Sequence, residues 1–84
     1  MTTPTVTLSK PITHDGQTVK TLTLREPTVA DEIAAARVSS NAQEQEVHLV
    51  GILSGLGAPA IMQLSSRDYR RVQAAIAVFF SVAD

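Results

Sequence analysis

The longest segment that combines a defined helix start with a continuous apolar face is Leu64 to Ala83, LSSRDYRRVQAAIAVFFSVA, and no other stretch constrains the fold as much. Ser65 can cap the first free amides, Asp68 follows three residues later in a capping-box spacing, and Leu64 and Tyr69 stand at the hydrophobic-staple positions. Tyr69, Val72, Ile76, Phe79, Phe80 and Ala83 recur at steps of three and four, which winds them onto one side of a helix. Arg67, Asp68, Arg70, Arg71 and Gln73 fill the other positions of the first two turns. Within AAIAVFFSVA only Ser81 is polar, so the last turns are apolar nearly all the way round. Such a surplus of apolar surface ordinarily goes into a partner or a self-assembly contact.

A chain of 84 residues is expected to form a single domain that buries roughly 60 to 65% of the surface its unfolded form exposes, and oligomerisation is a common remedy for the small stability that results. Seven Lys and Arg against eight Asp and Glu give a net charge of -1, which supplies no long-range attraction for a polyanion. Without cysteine there is neither a disulfide framework nor a thiolate metal site, which fits a reducing compartment. MTTPTVTLSK lacks the basic region and apolar core of a secretory signal, and no apolar run approaches the ~18 residues of a membrane span. A soluble intracellular protein, with no membrane partner, is the expectation.

Val6, Leu8 and Ile12 alternate with Thr5, Thr7 and Ser9, and Leu22 and Leu24 alternate with Thr21 and Thr23, the period of half-buried strands. Between them lies His14-Asp15-Gly16. A two-residue turn at Asp15-Gly16 would set Leu8 against Thr23 and Leu24 against Thr7. A three-residue loop, His14 to Gly16 with Gly16 left-handed, sets Leu8 against Leu22 and Val6 against Leu24, and that register is expected. It leaves Lys10 opposite Lys20, a like-charge pair.

Pro27 ends the second strand, and Thr28 with Asp31 opens a first helix whose modest apolar face is Val29, Ile33 and Ala36. Asn41 and Glu44 open a second, with Leu49, Ile52, Leu53 and Leu56 as its apolar set and Gly55 and Gly57 as its stop. Gly51 inside that helix points to close approach of another backbone. The predicted architecture is α+β: an N-terminal β-hairpin (about 4–26) followed by three helices (about 28–39, 42–55 and 65–82), the last long and amphipathic, with a short helical turn at about 59–63.

No catalytic constellation emerges, so an enzyme is not expected and no cofactor is implied. Glu44 and His48, four apart on one helix, supply only two ligands, which on an exposed face are far more often a solvated pair than a metal site. His14 reads as a turn residue. No serine has the spacing of a nucleophile elbow, and GLGAP at 55–59 lacks the lysine and serine of a phosphate loop. Arg67, Arg70 and Arg71 with Tyr69 form the only basic cluster, and a small nucleic-acid-binding regulator using that turn is the alternative reading. An ordinary solvated face or an acidic protein partner explains the cluster more simply.

The order of segments carries more than any single motif. Lys10-Pro11-Ile12, Asp15-Gly16, Leu22 to Thr28, Asp31, Leu64-Ser65, Asp68-Tyr69 and Phe79-Phe80, spread over nearly the whole chain, resemble the small tail-assembly chaperones of contractile-tailed, Mu-like phages and prophages. The resemblance implies a non-catalytic protein that binds the tape-measure protein in the host bacterial cytoplasm, keeps it soluble while the tail tube forms, and is absent from the mature virion. It also implies that some members make a longer product by ribosomal frameshifting. The apolar surplus of the last helix then reads as a client or oligomer surface made of Tyr69, Arg70, Arg71, Val72, Ile76, Phe79 and Phe80. Tyr69 and Phe80 are expected to contribute most, Arg70 and Arg71 to tune encounter, and Ile76, Phe79 and Phe80 to lie near a two-fold axis.

Overall fold

Alternating threonines and aliphatic residues form an antiparallel hairpin, β1 (Thr5–His14) and β2 (Gln17–Thr23), in the computed structural model, which describes residues 4–81. His14 pairs with Gln17, leaving Asp15 and Gly16 as a two-residue turn with φ of 50° and 76°. Positive φ at both central residues is what a type I′ turn requires, and Asp-Gly supplies it. The expected three-residue loop is therefore corrected, and with it the register: Val6 pairs with Leu22, not Leu24, and Leu8 is not the partner of Leu22. A register shift between Thr7 and Ile12 explains how a two-residue turn still gathers the apolar residues. β1 runs through Leu8, Ser9, Lys10 and Pro11 while β2 passes only Lys20, so Val6, Leu8, Ile12, Leu22 and Leu24 are all buried. Pro11, which has no N–H to give, sits where the ladder is broken. Lys10 and Lys20 are not ladder partners.

Gly16 has the left-handed conformation its place in the loop called for, and a Cβ there would meet nothing within 4 Å. The cost of Gly16→Ala is then purely conformational, about 1 kcal/mol, read as a lower urea midpoint; an unchanged midpoint would reject this account.

Among the described residues four helices follow: α1 (Val29–Arg37), α2 (Ala42–Ser54), the single turn α3 (Ala58–Ile61) and α4 (Ser66–Phe79). Thr28 and Asp31 complete a reciprocal capping box, and Arg25 grips the same Asp31 with two nitrogens at 2.6 and 3.0 Å. Those Arg25 bonds, with the Thr28 amide next, hold the Asp31 carboxyl well below the usual range. The apolar face expected on α1 is turned outward: Val29 and Ile33 are 70% and 48% exposed, and Ala35 is the buried residue instead. Among the helices and strands α1 packs only on α2, and a small side chain at the contact lets the two backbones approach. In α2 the buried set is Leu49, Val50, Gly51 and Leu53. Ile52 and Leu56, expected in the core, are half-buried, and Val50 takes the fully buried place on this helix.

The core joins the hairpin face to Val50 and Leu53 of α2, Ile61 of α3 and Tyr69, Val72 and Ile76 of α4. The Arg25 N–H donates to the Leu53 carbonyl at 3.2 Å, tying the end of the hairpin to α2. The architecture is α+β, a hairpin followed by helices. α4 stops at Phe79, with Phe80 as its C-cap, so it is shorter than the expected 65–82; residue 82 and Ala83 lie outside the described residues. Among the described residues no helix is long and apolar enough to cross a membrane.

Candidate partner-binding site

Ser65 caps α4 as its sequence position indicates, accepting the Asp68 N–H at 3.2 Å. The Asp68 side chain does not return the bond. It is fully buried and turns to the break in β1, where its two oxygens accept the Ser9 N–H and hydroxyl, both at 2.9 Å, and the Lys10 N–H at 3.0 Å. The Ser9 main-chain bond is the largest cause that lowers the carboxyl to about 2, against burial, which pushes it up. On either side of it Arg71 donates to the Thr7 carbonyl at 3.3 Å, and the Gln63 amide both accepts from the Thr13 N–H (2.9 Å) and donates to its carbonyl (2.8 Å). Three side chains from Gln63 to Arg71 thus occupy the outer edge of β1, which would otherwise offer unpaired main-chain groups.

This lock determines which face of α4 remains free. Tyr69, expected to lead a partner contact, is 8% exposed and donates its hydroxyl to Glu46 of α2, which also accepts from Gln73 at 2.8 Å. Burial first, then the Glu46 bond, raises the phenol. Val72 and Ile76 are likewise inside the chain's own core, and Phe79 is half-buried against it. Of the seven residues read as a partner surface, Arg70, Arg71 and Phe80 are exposed. Arg70 donates to Gln73 at 3.1 Å and Arg71 lies 3.7 Å from Asp68, so two of the three clustered arginines are engaged within the chain.

Two grooves flank α2. One, of about 560 Å³, lies between its first half, α3 and the start of α4, with His48, Met62, Leu64 and Arg70 in its walls. The other, of about 330 Å³, lies between α1, α2 and the end of α4, with Ala35, Leu49 and Ile76 beneath and Ala36 and Phe80 at its sides. Sequence reading missed both, because each is assembled from three helices. The outward stripe on α1 was visible as periodicity but was assigned to the core. Among the described residues no three His, Cys, Asp or Glu side chains come together as a metal site.

A family model described as "Phage tail assembly chaperone proteins, E, or 41 or 14" matches residues 5–81. No curated protein and no solved structure matches the chain.

Proposed function

Since the chain belongs to the phage tail assembly chaperone family, we propose that it binds the tape-measure protein of a contractile-tailed, Mu-like phage or prophage and keeps it soluble during tail assembly. The observation that carries this reading is the family match across residues 5–81. The surface is compatible with it. Val29, Ile33, Val78 and Phe80 are large apolar side chains left exposed, and a long helical client presents apolar stripes that such surfaces can cover. The role is non-catalytic, performed in the host cytoplasm and finished before the virion is complete. Homo-oligomerisation belongs to the same reading, as copies ranged along one client: modest affinity per copy with many copies permits release.

Co-expression tests it. The tape-measure protein from the same genome should move from the insoluble to the soluble fraction when this chain is present. Removing the Phe80 ring should weaken the rescue, since aromatic contacts of a partner interface are commonly worth about 2 kcal/mol or more. Circular dichroism must show Phe80→Ala folded. A client that stays insoluble beside the folded parent protein would defeat the reading.

A further inference from the structure

The groove between α1 and the end of α4 has a chemistry of its own. Val29, Ile33 and Ala36 stand at i, i+4 and i+7, one stripe along α1, and Ala36 carries that stripe into the groove wall. Val29 and Ile33 are 70% and 48% exposed, and Phe80 on the opposite bank is 46% exposed. Alanines at 35, 36, 42 and 77 line the channel, leaving room for a backbone to come close. Its charged lining residues are Glu32 and Glu46; no lysine or arginine lines it, and Arg70 stands beyond Gln73, whose side-chain oxygen it bonds at 3.1 Å. The Tyr69 and Gln73 hydrogen bonds both fall on Oε1 of Glu46, so among the described residues Oε2 keeps its accepting capacity.

We propose that this groove takes an amphipathic helix of a partner protein whose apolar stripe is flanked by lysine or arginine. A largely apolar lining whose charged members are both carboxylates is complementary to such a helix. It is a poor seat for the same face of a second copy, which would set Glu32 and Glu46 against their own equivalents. The inference rests on the client-binding reading and deepens it by naming the groove and the charge of the bound segment.

The probes are two synthetic helical peptides of about 20 residues with one Leu/Ala stripe, flanked by Lys in one and by Glu in the other. Fluorescence anisotropy at low salt should show the Lys peptide binding at least about tenfold tighter, with the preference narrowing as salt rises. Its amide perturbations should centre on Ala35, Ala36 and Ala77. The surface pair Val29→Ser with Ile33→Ser should weaken binding about tenfold. Glu32→Lys should reduce the Lys-over-Glu preference at least about threefold, and Met62→Ser in the other groove should change neither. Equal binding of the two peptides, perturbations centred on His48 and Met62, or full binding by the Val29/Ile33 variant each overturns the proposal. A parent dimer in sedimentation that this variant abolishes assigns the groove to a second copy and also overturns it. Co-expression separates the two levels. A folded Val29/Ile33 variant that still solubilises the tape-measure protein removes the groove and leaves the chaperone reading standing. A parent that fails to solubilise it removes that reading, and the peptides then judge the groove alone.

Discussion

Asp68→Asn is expected to lower the thermal midpoint at neutral pH by more than about 10 °C, although it changes a single atom of the side chain. The carboxylate accepts the Ser9 N–H and hydroxyl on one oxygen and the Lys10 N–H on the other. An asparagine amide has one oxygen for these donors, and its NH2 must face an N–H. The break in β1 cannot close over the difference, because Pro11 follows and β2 offers only Lys20 across it. The effect has a pH signature. The folded carboxyl lies at about 2, below its ordinary 3.8, so its contribution is fully present above the ordinary value and is lost as pH falls through the folded one. The gap between parent and Asp68→Asn midpoints should be constant above pH 5 and shrink between about pH 4 and pH 2. A variant within the scatter of the parent at pH 7, or a gap that persists undiminished at pH 2, would show that the bulge is held by something else.

Gly51→Ala is expected to destabilise by about 2 kcal/mol, opposite in sign to what helix propensity predicts. In an exposed helix interior the change stabilises by about 1 kcal/mol. Here an added Cβ would lie 2.7 Å from the Ala58 nitrogen and from the Gly57 carbonyl carbon, and 3.1 Å from the Gly57 Cα. All three are main-chain atoms, so no rotamer change relieves the overlap, and α3 must shift away from α2. That shift would strain the hydrogen bonds from Gly55 and Gly57 to the Gly51 carbonyl, 3.1 and 3.2 Å, which close the end of α2. Overpacking costs typically about 1 to 3 kcal/mol, and rigid obstacles place this site at the upper end before the propensity gain is subtracted. Chemical denaturation reads the sign directly. A raised midpoint for Gly51→Ala would mean that the α2–α3 junction is loose.

Both sites bear on function through rigidity. Asp68 anchors the start of α4, which lines both grooves, to the hairpin, and Gly51 lets α3, which lines the groove of about 560 Å³, pack close on α2. The surfaces proposed for binding, Val29 and Ile33 on α1 and Phe80 after α4, are exposed, whereas Asp68 and Gly51 are buried. Destabilising changes and binding changes are therefore separable by mutation.

Local chemistry determined a good deal by itself. Thr28 with Asp31, Asn41 and Ser65 mark helix starts because a side-chain oxygen and the amides it satisfies lie within three residues. Asp15-Gly16 marks the turn, Gly51 announces a close approach, and the period of Tyr69, Val72 and Ile76 identifies a buried helix face, since each depends only on near neighbours or on helical repeat. Which body covers that face is a long-range matter. The pattern of Tyr69 is the same whether a sister subunit, a client or the chain's own α2 receives it, and only the fold supplies Glu46 to its hydroxyl. The hairpin register failed for a related reason. A ladder assumed regular admits only one turn length, whereas a break in β1 is tolerable once Asp68, 59 positions from Ser9, accepts the freed amides. In α1 the stripe of Val29 and Ile33 carries the same periodicity as a core face, and the tertiary structure alone decided that it looks outward, because the capping box and Arg25 set the helix on α2 through Ala35.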